Sequence, residues 1–270
     1  MRKEYLPKIL FIIIDILDKI FLKVSPILYM GLTRAQDSND RFIFGSDFIK
    51  KYKTNRSISI LDVGCGGGNF FAYINSDLKN SEYLGIDFDD GKMKKNKFDD
   101  FENFKTICED LRTDWYYNKH DFVWSSEVIE HLFDDQSFFK KLVKSTKKGG
   151  YNIITTPYYN SYVNFAEKYN WSIKPSKEEI TGHVRLGYTE NDLKKLAKIN
   201  NVELEDIYYV SECSNYRAKN FFKLNNGLFC YFFNILYIFK FLKYERYIKG
   251  ENALDKINYF SIAAVYKNRN

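Results

Sequence analysis

Several things are scarce in this chain, and each scarcity removes a class of function. Cysteine occurs four times, at 65, 108, 213 and 230, and no two of them form a CxxC pair. That argues against a zinc cluster, and a reducing cytoplasm is the default compartment. Long apolar runs are also missing. The run at 9–14 stops at Asp15, too early for a secretory h-region. The stretch 228–242, LFCYFFNILYIFKFL, is interrupted by Asn234 and Lys240 and falls short of the ~20 residues of a simple membrane span. Charge of one sign is not in large excess. A net charge of +6 permits an anionic partner without requiring one, and no Arg-rich patch marks a nucleic-acid surface. Apolar residues, at 45%, suffice for a packed core, so wholesale disorder is not expected.

Three zones differ in character. In residues 1–56, Ile9, Leu10, Ile13, Leu17, Ile20, Phe21 and Val24 recur at helical spacing, with Asp15, Asp18, Lys19 and Lys23 between them. This predicts a helical N-terminal extension, amphipathic and packed on the domain or lying on a membrane face. From 57 to 210, strands are predicted at 57–63, 83–87, 104–109, 122–125, 151–155 and 204–210. Helices are predicted at 69–79, from about Asp90, at 136–146 and at 190–200, the last with Thr189 as N-cap. Turns fall at 127–132 and 148–150, and a last strand at 259–265. The alternation predicts an α/β class, with a doubly wound, mostly parallel, seven-stranded Rossmann-like sheet over 57–270. Residues 211–256 read as an apolar helical insert between strands six and seven.

The strongest local signal is Ile60-Leu61-Asp62-Val63-Gly64-Cys65-Gly66-Gly67-Gly68-Asn69-Phe70, a strand running through D-x-G-x-G-x-G into a helix. Glycines allow a tight turn and close approach of a ligand, and the helix N-terminus beyond favours an anionic group. A dinucleotide site wants G-x-G-x-x-G. Counted from Gly64, the sixth position is Asn69, so the spacing favours a methionine-type cofactor over a pyrophosphate. Asp87 ends the second strand, placed to accept from two ribose hydroxyls. Asp110, after the third, is placed to accept from an adenine amino group, with the Leu111 N–H near a ring nitrogen.

The segments LDVGCGGGNF, YLGIDFDD, CEDL, HDFVWSSEVIEHL, KKGGYNIITTP and GHVRLGYTENDL together resemble the class I S-adenosylmethionine-dependent methyltransferases from about Ile58 to Val210. The resemblance implies that S-adenosylmethionine is the cofactor. It implies that Asp62, Gly64, Gly66, Gly68, Asp87 and Asp110 line its site, joined by Leu111 and Ser126. The EVIEH part is similar to ubiquinone-pathway O-methyltransferases. With a later His it resembles metal-dependent RNA 2′-O-methyltransferases.

Methyl transfer to oxygen needs the acceptor proton removed, by a base or a metal. Glu127, Glu130 and His131 stand at i, i+3 and i+4, on one face of a helical turn. With His183 they form the candidate catalytic set, and two carboxylates with two imidazoles would also suit Mg2+ or Mn2+. His120, before a strand, is expected at the surface. Thr155-Thr156-Pro157-Tyr158-Tyr159-Asn160 departs from the N/D-P-P-Y tetrad of base-methylating enzymes. Tyr158, Tyr159, Asn160 and Trp171 are read as acceptor-pocket residues or loop aromatics covering the sheet edge. The insert would leave from the carboxyl end of strand six. Lys219, Lys223, Lys240, Lys243, Arg246 and Lys249 surround its apolar stretch, so residues 219–249 are a candidate membrane-surface contact. The expected activity is O-methylation of a small-molecule, sugar or lipid-linked acceptor, in the cytoplasm or peripherally on the membrane. The alternatives are a metal-dependent RNA 2′-O-methyltransferase and a non-catalytic binding or membrane-adaptor module.

Overall fold

The computed structural model describes residues 36–52, 57–75, 81–94, 96, 98–113, 119–169, 174–179, 182–212, 246–253 and 256–269. The periodic stretch at 9–24, Trp171 and the apolar run of the insert lie outside them.

The chain order is α1 (Gln36–Tyr52), β1 (Ser59–Val63), α2 (Phe71–Ile74), β2 (Glu82–Asp87), α3 (Asp90–Met93), β3 (Phe104–Cys108) and β4 (His120–Ser126). A 3-10 turn (Ile129–His131) follows. Then come α4 (Asp135–Lys144), β5 (Thr146–Pro157), α5 (Tyr159–Tyr169), α6 (Glu190–Ile199), β6 (Glu203–Glu212), β7 (Tyr247–Lys249) and β8 (Tyr259–Lys267). One sheet runs β3-β2-β1-β4-β5-β8-β6-β7. The β3-β2-β1-β4-β5 half is parallel, and β8 pairs antiparallel with both β5 and β6. The Rossmann-like, mostly parallel architecture is as expected, but the described residues hold eight strands rather than seven. The added strand is β7, three residues on the free edge of β6. It falls inside the stretch read as a helical insert. Three residues carry no alternation that a sequence pattern could register.

Both sheet faces are covered, as a parallel sheet requires. Successive side chains of a strand point to opposite faces. Leu61 and Val63 therefore join one core cluster, with Phe138, Phe139 and Leu142 of α4 and Leu193 and Leu196 of α6. Ile60, Phe122, Trp124 and Ile153 join the other, with Phe44, Phe48 and Ile49 of α1 and Phe71 of α2. Helix α1 is thus a full layer of the core. Its Gly45 lies so close to the Trp124 ring that a Cβ there would come within 2.6 Å of it. Helix α6 begins at Thr189, whose hydroxyl and Asp192 form a reciprocal capping box.

Other departures have local causes. Residues 148–150 do not break the chain. Strand β5 starts at Thr146 and bends through Gly149 at φ +77°, whose N–H donates to the Asn268 carbonyl at 2.6 Å. His120 is not a surface residue: it opens β4 and is buried. Helix α5 was not expected, because the aromatic stretch after Pro157 has neither an N-cap signal nor a clear 3.6-residue period.

Strand order reverses direction between β1 and β4, so the chain leaves β1 toward β2 on one side and returns at β4 on the other. Such a switch point opens a crevice at the carboxyl ends of the strands. The loops after β1, β2 and β4 all meet there.

Candidate active site

The glycine turn grows directly out of β1. Gly64 and Cys65 donate their N–H groups to the Ile86 carbonyl of β2, and Gly68 N–H closes the turn on the Cys65 carbonyl at 2.9 Å. Gly64, Gly66 and Gly68 all sit at positive φ, +81°, +55° and +70°. Their reasons differ. A Cβ on Gly68 would press to 2.5 Å from Phe104, so that glycine is a packing requirement. A Cβ on Gly66 would meet nothing within 4 Å, so that glycine faces open space. A cradle left open beside exposed backbone is what a ligand approaching closely needs.

Asp87, at the tip of β2, is 6% exposed. Its Oδ2 accepts the Gly66 N–H at 2.8 Å and its Oδ1 the Asp89 N–H at 2.9 Å. A carboxylate has roughly four acceptor positions, so each oxygen retains one, matching the two hydroxyls of a ribose. Asp62 points into the core beneath the turn and accepts the Tyr83 hydroxyl at 2.5 Å. Burial pushes its carboxyl up to about 7, Tyr83 opposes this, and the Asp87 charge adds to it. Asp110 is gripped by Arg112, whose side chain holds its carboxyl below the usual range. Leu111 is buried in the core, and Ser126 shares a 2.8 Å hydrogen bond with Thr155.

Beyond β4 the four candidate catalytic residues separate. The turn is a short 3-10 helix over Ile129–His131, and Glu127 precedes it in left-handed backbone at φ +56°. Glu127 is therefore not on the face that α-helical spacing assigns it. Its Oε1 lies 3.7 Å from Arg41 Nε of α1 and accepts from the Thr155 and Ser261 hydroxyls. Glu130, His131 and His183 do come together: one ligand atom of each lies within 4.8 Å of the others. The two rings meet edge-on with centroids 4.7 Å apart.

Glu130 is fully buried. Its Oε2 accepts from Thr156 at 3.1 Å, while Oε1 has no hydrogen-bond partner and lies 3.9 Å from His131 Nε2. Burial first, and the Glu127 charge second, push the Glu130 carboxyl well up toward its neutral form. His131 Nδ1 is 3.0 Å from the Gly182 carbonyl. A carbonyl only accepts, which assigns a proton to Nδ1 and makes Nε2 the lone-pair nitrogen of the neutral ring. Burial, and then the neighbouring His131, lower the His183 pKa. The segment carrying His183 is tied down by Val184 N–H, which donates to the Glu130 carbonyl at 2.9 Å.

Sequence reasoning missed Arg41, Tyr83, Arg112, Thr155, Thr156, Glu179 and Ser261. All but one act through partners 20 or more residues away, which no local pattern encodes. Arg112 alone lies two residues from Asp110. Tyr158 is buried and Tyr159 exposed at the start of α5, and Asn160 donates to the Tyr158 hydroxyl at 2.9 Å. No helix among the described residues is long and apolar enough to cross a membrane.

A family model described as a methyltransferase domain matches residues 61–151, from β1 into β5. A malonyl-[acyl-carrier protein] O-methyltransferase of Ilyobacter polytropus is 28% identical over 60% of this chain and 58% of its own length. A ubiquinone biosynthesis O-methyltransferase of Rickettsia typhi is 35% identical over 39% of this chain and 43% of its own length. The chain thus spans about half the length of the curated relatives it matches. In fold it is similar to the plantazolicin methyltransferase BpumL, solved with S-adenosylhomocysteine, at a TM-score of 0.51 and 18% identity, covering 85% of this chain and 83% of that one. A glycine turn at the switch point and an acid at the tip of β2 both lie within the stretch that the domain model matches, so residues 61–151 form a methyltransferase domain, of the kind found in the class I S-adenosylmethionine-dependent methyltransferases.

Proposed function

We propose that this protein transfers a methyl group from S-adenosylmethionine to an oxygen of a small-molecule, sugar or lipid-linked acceptor. The observation that carries the oxygen assignment is the His131 tautomer: its Nδ1 is spent on Gly182, leaving Nε2 as a base.

The residues present fit the cofactor. Gly66 leaves the backbone open, Asp87 keeps two acceptor positions for the ribose, and Asp110 stands beyond β3 for the adenine amino group. Arg41 and Glu127 bring a cation and an anion to the end of β4, where the ammonium and carboxylate of an amino acid would find counter-charges. S-adenosylmethionine supplies an activated methyl, so the protein has mainly to place the acceptor and exclude water. With cofactor and acceptor bound, His131 Nε2 would take the acceptor hydroxyl proton as the methyl leaves sulfur for that oxygen. His183, held neutral by burial, packs against His131 and limits how its ring turns. Neutral Glu130 places no charge beside them.

The second reading is a divalent cation on Glu130, His131 and His183, favoured by the convergence of their ligand atoms. Dialysis against a chelator followed by Mg2+ or Mn2+ distinguishes the two. Activity that survives chelation supports the base, and activity lost and restored by metal supports the cation.

The deciding experiment supplies labelled S-adenosylmethionine to host lysate and follows label into lipid, polysaccharide, RNA and small-molecule fractions. Label in a non-RNA fraction, absent with Asp87→Ala, is expected. Label confined to RNA overturns the acceptor assignment. Equal labelling by the variant overturns the site.

A further inference from the structure

Three Arg112 hydrogens meet Asp110, and one of them, on Nε, is shared between its two oxygens. Its Oδ1 receives the Arg112 N–H and Nε, each at 2.9 Å, and its Oδ2 receives Arg112 Nη2 at 2.6 Å and Nε again at 3.2 Å. An adenine amino group that bonds to Oδ2 competes with the longer half of that shared contact, at 3.2 Å, and loosens the hold of Arg112.

A second carboxylate stands ready on the far side of the same guanidinium. Glu179 Oε2 lies 3.9 Å from Arg112 Nη1, inside ion-pair range but beyond a hydrogen bond. Glu179 is otherwise anchored, since its Oε1 accepts the Phe133 N–H at 2.6 Å. The stretch that bears it is joined to the catalytic histidines. Ser176 N–H donates to the His183 carbonyl at 2.7 Å, and Gly182 passes so close to Ser176 that a Cβ would come within 2.7 Å of it. The Gly182 carbonyl in turn fixes the His131 ring. An unbroken path therefore runs from Asp110 through Arg112, Glu179 and Ser176 to His183 and His131.

We propose that Arg112 and Glu179 are positioning residues that couple cofactor occupancy to the placement of the histidine pair. When the adenine amino group takes an oxygen of Asp110, Arg112 closes on Glu179. The stretches 174–179 and 182–185 are then held against the turn at Glu130. Cofactor binding and histidine placement reinforce each other, and by linkage the coupling acts equally in both directions. The inference rests on the cofactor reading given above.

The test is hydrogen exchange at the Val184 and Arg185 amides, both of which donate to the Glu130 carbonyl, with and without S-adenosylhomocysteine. In the wild type the ligand is expected to slow exchange about tenfold, within the usual range of coupling between two sites. Glu179→Gln keeps an oxygen for the Phe133 N–H and removes only the charge facing Arg112. There the ligand should still bind, less tightly by the lost coupling factor, and slow exchange less than about twofold. S-inosylhomocysteine, which carries a carbonyl oxygen in place of the amino group, should give no slowing in either protein. A merely structural contact would change exchange with and without ligand alike and leave their ratio intact. Equal ratios in wild type and Glu179→Gln overturn the coupling, as does a wild type that binds S-adenosylhomocysteine without slowing. A wild type that does not bind it at all overturns the cofactor reading itself.

Discussion

Asp87 Oδ2 accepts the Gly66 N–H across 21 residues of sequence, so the tip of β2 grips the turn that follows β1. One carboxylate thereby shapes the turn and, in the proposed site, would also receive the ribose hydroxyls. Asp87→Asn should separate these roles poorly, because an amide offers one acceptor oxygen where the carboxylate offers two. Calorimetry with S-adenosylhomocysteine should show roughly ten- to a hundredfold weaker binding, the worth of a hydrogen bond to a charged group. Unchanged affinity would remove Asp87 from the site.

Gly66 and Gly68 should respond differently to alanine. Gly68→Ala forces a methyl to 2.5 Å from Phe104 at a positive φ, which should cost about 1–3 kcal/mol of stability as overpacking. Gly66→Ala meets no protein atom and should cost only about 1–2 kcal/mol of backbone strain, yet block the ligand. Urea unfolding and ligand calorimetry on the two variants check this. A Gly66→Ala protein that binds normally would show that the open space is not the cradle.

Burial, aided by the Lys147 charge, pushes the His120 imidazole down to about 4 from its ordinary 6.5. Neither ring nitrogen has a hydrogen-bond partner. The unfolded chain takes up a proton below pH 6.5 that the folded one refuses until about 4, so stability falls as pH drops through that window. His120→Phe should flatten the slope of the urea midpoint between those values. A slope identical to wild type would count against a buried neutral imidazole.

Glu130 behaves with the opposite sign. Its folded pKa lies well above the ordinary 4.5, so the folded chain keeps a proton that the unfolded chain releases, and stability falls as pH rises from there. Glu130→Gln should gain more stability over the wild type at pH 8 than at pH 5, and keep methyl transfer, because a neutral amide likewise places no charge beside the histidines. Thermal melts at the two pH values measure the difference, and parallel curves would show that Glu130 is ionised in the fold.

The Lys-flanked apolar stretch at 219–249 is expected to bind anionic vesicles. Flotation with phosphatidylserine liposomes at low salt tests it. A protein that stays at the bottom of the gradient would exclude a surface contact of this kind.

The sequence by itself determined the parallel sheet, the glycine turn after β1 and the acid at the tip of β2. Largely apolar runs such as 60–63 and 122–125 are buried on both faces, and a glycine turn with acids ending the strands that follow can be read along the chain. The α6 cap at Thr189 was legible for the same reason. Only the tertiary structure decided what those groups touch. Helical spacing put Glu127 beside Glu130 and His131, but a left-handed residue and a short 3-10 turn sent it to Arg41, Thr155 and Ser261 instead. His120 looked exposed until Lys147 and the β4–β5 pairing enclosed it. Asp110 looked free, but Arg112 grips both its oxygens. A side chain's fate at a strand tip depends on partners that the chain brings back from tens of residues away, and spacing along the sequence does not record them.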